Sequence, residues 1–352
     1  MKILVTCFTH FDIVVVTKLC TIGTAFTIGF LRVYSVKTDK AKELIKEIIA
    51  KEDIIYRSKD DGIIGIYNTC VKKNVSLNYF YMMLHYIDTV SYLYIIFPFF
   101  IPKDILFDPV KNETVSQIPL PVDSWSPFDT HKHHSLIFIW EEIATTICSL
   151  CNYGSDIFFY SYINYVIGQI NILQYILSKF EDYKDKIKNQ VKCDDDRADL
   201  ATIRLCVLEH QRILRYINKF NDTMRTVMLL DFLQSSLQLA MLALFVMNIP
   251  ELATKLAASL FGVISLGRLA IYYWYANEIM IKSFSITDVL YNIKWYDKSP
   301  KFKHLLNMFI VRTNVRTGLQ IGTLTTMSWQ LFFGILKTAY SFLTFVLQTR
   351  GI

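Results

Sequence analysis

The chain has 352 residues, 53% of them hydrophobic and 14% aromatic, and 37 basic side chains against 31 acidic ones give a net charge of +6. Its charges stand in blocks between long apolar runs, which argues for a membrane protein and against a large soluble α-helical one. Each basic block flanks an apolar run, so the positive balance speaks of membrane topology and excludes a nucleic-acid partner.

An apolar run of about 18 or more residues with few charges is a candidate to cross a bilayer. Six are predicted, at roughly 12–34, 78–101, 136–166, 226–248, 256–281 and 319–347. Tyr79, Tyr81, Trp125, Trp140, Trp295 and Tyr296 gather near run ends, where amphipathic rings sit at the headgroup level. The expectation is an all-α, polytopic transmembrane helix bundle, a single domain over 1–352 embedded in a lipid bilayer.

The opening MKILVTCFTHFDIVVV has the basic start and apolar centre of a signal peptide. His10 and Asp12 interrupt that centre, and no small-residue cleavage site follows cleanly, so a retained first span is expected. The gap after it is rich in basic residues, from Lys37 to Lys73, whereas the next holds only Lys103, Lys111 and Lys132. The third is rich again, from Lys179 to Arg225; Lys255 stands alone in the fourth, and the fifth runs basic from Lys282 to Arg316. Short cytoplasmic loops carry the Lys and Arg excess. Gaps one, three and five are therefore predicted to be cytoplasmic and both chain ends outside. Asn112-Glu113-Thr114 then lies in an outside loop, 102–135, open to glycosylation. The sequons at Asn74 and Asn221 fall inside and should be unused.

Catalytic constellations are absent from the sequence. Seven cysteines make no disulfide framework, and the C-x-x-C pair Cys148 and Cys151 sits in the third run, where i and i+3 merely share a helix face. His131, His133 and His134 resemble a metal tract but lack a nearby carboxylate or cysteine pair, and read as the solvated lead-in to the third span. With no phosphate-binding glycine loop, nucleophile elbow or H-E-x-x-H, no enzyme activity, cofactor or metal is expected. Ionisable residues inside spans are costly and mark functional candidates. Here they are Lys18, Asp88, Asp156, Arg268, Glu278 and Lys337; snorkelling, pairing across helices or shifted span boundaries are the bland alternatives. A proton-coupled transporter would need such groups, but its inverted repeats and Gly/Pro-broken helices are missing.

Four motifs occur in register along the second half. LCVLEHQRILRYINKF (Leu205–Phe220) precedes the fourth run, and YYWYANEIMIKSFSITDVLYNIKWYD (Tyr272–Asp297) closes the fifth. LLNMFIVRTNVRTGLQIG (Leu305–Gly322) then leads into ILKTAYSFLTFVLQTR (Ile335–Arg350). In this order and spacing they resemble insect odorant receptors, in particular the expanded set of ants, wasps and bees, and the resemblance covers nearly the whole chain. It implies a seven-span fold with an inside N-terminus, so the six runs here correspond to its spans two to seven. On that register the family's first span and its cytoplasmic lead have no counterpart. A truncated gene model, a short isoform or a degenerate receptor are the readings this leaves open.

The resemblance implies a tuning subunit, which binds a small, mostly apolar volatile ligand and joins the odorant receptor co-receptor in a tetrameric cation channel. Counted from Tyr340, the family's gate positions fall on Leu343, Val346 and Leu347, which share one helical face at i, i+3 and i+4. The cytoplasmic stretches Arg204–Arg225 and Ser283–Thr317 are expected to be the anchor where subunits meet, with Leu208, Ile213 and Ile217 among its periodic apolar positions. Residues 314–318 look like the break between the halves of the final helix. The ligand pocket is expected in the outer half of the bundle, from Tyr86, Thr89, Val90 and Leu93, from Thr145, Cys148 and Asn152, and from Leu260, Ile264 and Gly267. A gustatory receptor would place glutamine six residues after the tyrosine; here Val346 stands there and Gln348 follows. A G-protein-coupled receptor would need an acidic-Arg-aromatic end to its third span and N-P-x-x-Y near its last, and neither is present.

Overall fold

The computed structural model describes residues 13–90, 104–108, 113–117, 133–248, 252–322 and 325–349. Helix α1 (Ile13–Lys37) is followed by α2 (Asp39–Arg57) and α3 (Asp61–Val90). After the strands β1 (Asp104–Asp108) and β2 (Glu113–Gln117) come α4 (His134–Ser178) and α5 (Phe180–Val191). Then follow α6 (Asp195–Asn248), α7 (Leu252–Tyr291), α8 (Pro300–Thr313), β3 (Gln320–Ile321), β4 (Thr325–Thr326) and α9 (Trp329–Thr349). Each β pair is antiparallel, Asp104 opposite Gln117 in the first and Gln320 opposite Thr326 in the second.

Within the described residues, the predicted runs lie on six of the nine helices, but three of those helices far outrun them. At 1.5 Å per residue, the 45 residues of α4, the 54 of α6 and the 40 of α7 reach well beyond the ~30 Å of a hydrocarbon core. Helix α6 contains neither Gly nor Pro, so nothing breaks it between its polar first half and its apolar second half. Breaks fall where the chemistry changes. Thr38 caps α2 by accepting from Ala41 N at 3.4 Å, and the Asp60 carboxylate accepts from Gly62 N and Ile63 N at the start of α3. Pro300 opens α8 in the first turn, where its missing N–H costs nothing.

The last run needs a correction. Helix α9 begins at Trp329, ten residues after the run's expected start at 319. The expected break at 314–318 extends, among the described residues, through 322 and over 325–328, and takes up the start of that run. Gly322 takes a left-handed φ of 55°, and its N–H donates to Arg225 O at 3.0 Å. A Cβ there would press on Leu229 Cδ2 at 3.0 Å, so the turn lies tight against α6. Asn221 of α6 clasps the same segment, donating to Gly318 O at 3.3 Å and accepting from Gln320 N at 3.0 Å. Asn74 likewise bonds Ser161 and Asn164 inside the bundle. The amides of both sequons expected to be unused are thus engaged in packing.

Helix α4 is the central post and packs on α1, α3, α6 and α7. Phe159, Tyr160, Tyr162, Ile163, Ile170 and Leu173 of α4 are among the largest fully buried side chains. Its other end presents Leu136, Trp140, Ile143, Ile147 and Leu150 outward, all exposed. A soluble protein rarely leaves so long an apolar stripe bare. Among the described residues, one helix, Asp195–Met247, passes as a membrane crossing on length and composition alone.

Candidate functional site

Five helices bring polar side chains to one buried point. Arg32 of α1 donates from Nη1 to Asp156 Oδ1 of α4 at 2.7 Å and from Nη2 to Asp231 Oδ1 of α6. Arg268 of α7 aims at the same two oxygens, Nη1 at Asp156 and Nη2 at Asp231, each 3.6 Å away. Tyr81 of α3 and Tyr272 of α7 donate their hydroxyls to Oδ2 and Oδ1 of Asp156. The Tyr272 ring stacks on Tyr160 with centroids 4.6 Å apart, and the Arg268 guanidinium lies over the same ring, 5.9 Å from its centroid.

Burial is nearly complete, with side-chain exposures of 4% at Arg32 and 1% at Asp156. Two cations and two anions make the cluster neutral, as a buried set of charges must be to avoid a desolvation cost of several kcal/mol per ion. The polar lining continues along α6, where Gln234 bonds Gln238 one turn beyond Asp231. Of the intramembrane charges expected from the sequence, Asp156 and Arg268 join this cluster. Glu278 instead pairs with Lys282 one turn away on α7, and Lys337 is exposed on α9. The side chains of Lys18 and Asp88 lie outside those described. Sequence reasoning missed Arg32 and Asp231, because each stands within a few residues of a run end and passes for a flanking charge. The available signal was the presence of opposite charges at matching depth in separate runs.

The expected ligand-pocket residues scatter. Cys148 lines an open apolar groove of about 220 Å³ between α1 and α4, with Phe26, Phe30, Trp140, Ile147 and Cys151. Asn152, beside it, meets α1 at Gly29, where a Cβ would approach Asn152 Nδ2 to 2.7 Å. The Thr145 hydroxyl is spent on the backbone carbonyl of Glu141. Tyr86 is 65% exposed and Leu260 is exposed too, so neither turns into the bundle. Ile264 is half-buried, and Gly267 faces open space. Leu93 and Asn112 lie outside the described residues, as do the side chains of Thr89, Val90, Val346 and Leu347.

The expected anchor residues divide by helical phase. Ile213 and Ile217 are buried in the chain's own core, whereas Leu208 is 54% exposed and free for a partner. Beyond the apolar segments, ion pairs tie the helices together. Lys298 bridges Glu181 at 2.7 Å and Asp199 at 2.8 Å. Burial works against its charge, but the hydrogen bonds to Asp199 and Glu181 win and hold its amine above the usual range. Nearby, His210 packs against Phe309 of α8, with centroids 5.2 Å apart. Burial, helped by the Arg312 charge, pushes its pKa down to about 4. On α9, Phe333, Tyr340 and Phe345 are exposed and Leu343 is half-buried, which leaves one face of that helix uncovered by this chain.

Kinship with known proteins settles what such a bundle is. A family model described as 7tm odorant receptor matches residues 12–340. The chain belongs to the 7tm odorant receptor family. That family is one of receptors, not of enzymes. The chain is 29% identical over 190 residues to Odorant receptor 10 of Aedes albopictus, a stretch covering 53% of this chain and 48% of that one. It is 21% identical over 151 residues to the odorant receptor coreceptor of Aedes aegypti, covering 43% of this chain and 32% of that one. The chain thus spans about half the length, or less, of curated relatives such as these. An insect olfactory receptor from Machilis hrabei, solved in complex with eugenol, superposes with a TM-score of 0.76 at 14% identity. That superposition covers 97% of this chain and 84% of the other, so the odorant receptor chain has a polytopic, all-α membrane fold.

Proposed function

We propose that this chain is the ligand-binding, tuning subunit of an odorant-gated, non-selective cation channel. It assembles with the odorant receptor co-receptor in the plasma membrane of olfactory sensory neurons. The observation that carries the reading is the family match over 12–340, with a receptor fold along nearly the whole chain. Similarity to the co-receptor itself supports a shared subunit architecture. The exposed leucines Leu205 and Leu208 supply an apolar surface for the joint.

On this reading the basic gaps face the cytoplasm and the C-terminus lies outside, with Asn112 the glycosylated sequon. The membrane domain runs through six spans, with cytoplasmic anchor regions at 179–225 and 282–318. The ligand is a small, mostly apolar volatile, and the apolar groove beside Cys148 and Asn152 is the place built for one. Leu343, Val346 and Leu347 of α9 contribute to the gate, where a ring of apolar side chains holds a closed pore dry.

The test is to record from cells that express this chain with and without the co-receptor while a panel of volatiles is applied. Ligand-evoked cation current is expected only when both chains are present. Substrate flux in the absence of the co-receptor would instead make the chain a transporter, and failure to co-purify with it would end the tuning-subunit reading.

A further inference from the structure

We infer that Arg32 and Arg268 are alternative partners for the Asp156–Asp231 pair, so that the cluster is a two-position exchange switch between α1 and α7. The inference rests on the reading of this chain as a gated receptor, and goes beyond it by naming the element with two positions.

The geometry is that of two forks reaching for one target. Asp156 Oδ1 and Asp231 Oδ1 are both held by the Arg32 guanidinium, one nitrogen each. Arg268 presents its own two terminal nitrogens to the same two oxygens, both at 3.6 Å. That is beyond hydrogen-bond reach, and Arg268 Nη1 is buried with no hydrogen-bond partner. One guanidinium is therefore bonded while the other waits at the same address. An approach of about 0.8 Å would bring Arg268 to the ~2.8 Å of a charge-assisted bond, and helix shifts of about 1–2 Å are common in switching proteins.

Energetics keep the exchange two-state. Releasing the carboxylates altogether would strand two buried anions, at several kcal/mol each. A handover from one arginine to the other avoids that, because some cation is always bonded. Asp156 is the fixed post, since Tyr81 from α3 and Tyr272 from α7 hold both its oxygens. Asp231 supplies the outlet, because its helix α6 packs directly on α9, the helix proposed to carry the gate. A shift of α1 against α7 is thereby felt at α9 through packed helices.

The test uses Arg32→Gln, Arg268→Gln and the double variant, each expressed with the co-receptor, and reads surface level and heat resistance of the solubilised complex. Exchange predicts that the two single variants lose surface level to a similar, partial extent, because the remaining arginine takes the pair but leaves one carboxylate charge unbalanced. The double variant should fall about tenfold or more, a strong non-additivity. A static network predicts that Arg32→Gln is already as damaging as the double variant, which would overturn the proposal. Three variants with unchanged levels would overturn it as well, since the carboxylates would then need neither arginine. In recordings, Arg32→Gln should raise resting current and Arg268→Gln should lower ligand-evoked current; shifts in the same direction would remove the switch from gating. Should the wild-type complex pass no ligand-evoked current, the receptor reading fails, while the surface and heat series still decides the exchange.

Discussion

Acid should loosen the contact between α6 and α8 through one side chain. His210 sits in that contact, buried against Phe309, with its pKa pushed down to about 4. An unfolded chain holds histidine at about 6.5, so between these values the unfolded state binds the extra proton. The stabilisation is present above about pH 6.5 and is lost as the pH falls toward 4. At pH 5 the two populations differ by a protonation free energy of about 2 kcal/mol, and at pH 7.5 by less than about 0.1 kcal/mol. For a chain of this size, 2 kcal/mol corresponds to a melting shift of about 3 °C. The carboxylates whose pKa is held low, Asp60 and Glu181, titrate below that window and add little at pH 5. The assay is a melting series of the detergent-solubilised chain at the two pH values, followed by size-exclusion chromatography, for wild type and His210→Gln. Glutamine keeps a polar group of similar size without a titrating proton, so its pH-dependent drop should shrink by about the same 3 °C. An equal drop in both proteins would refute the assignment and move the acid sensitivity elsewhere.

Three further outcomes follow from the same packing. Lys298→Ala leaves the buried Asp199 without its cation, at a cost of about 3 kcal/mol, seen as lower melting; retention of wild-type stability would mean that Asp199 finds another partner. Leu208→Asp should preserve folding and weaken co-purification with the co-receptor, whereas Ile213→Asp should reduce surface level outright, because Ile213 is in the chain's own core. Similar behaviour of the two variants would contradict the division by helical phase. In α9, Val346→Thr adds a hydroxyl of similar size and Leu343→Ala widens the proposed ring, so either should raise resting current or alter ion selectivity. If the leucine only packs, Leu343→Ala instead lowers surface level, by a truncation cost of about 2–5 kcal/mol, and resting current stays flat.

The resemblance of four motifs in register carried the family, and the sequence by itself also determined the membrane class and the number of apolar runs. The reason is that hydrocarbon thickness and basic-loop bias are one-dimensional properties, legible from run lengths and from where Lys and Arg fall. It also marked the break before the final helix, since Asn314 to Gly318 end one helical pattern before another begins. Phase and depth were another matter. Ile213 and Ile217 looked like partner-facing residues because periodicity locates an apolar face but does not say which neighbour covers it; α6 turns both into its own chain. The start of α9 was misjudged because 319–328 carries no charge and extends the apolar run, while a left-handed Gly322 clasped against α6 stops it from being helix. Above all, the charged cluster belonged to the tertiary structure. Arg32 and Asp231 lie 199 residues apart and near opposite ends of their runs, and only the antiparallel packing of α1 against α6 brings them to one depth. Once buried there, each charge demanded an opposite one within bonding distance, and the fold supplied two claimants for the same pair of carboxylates.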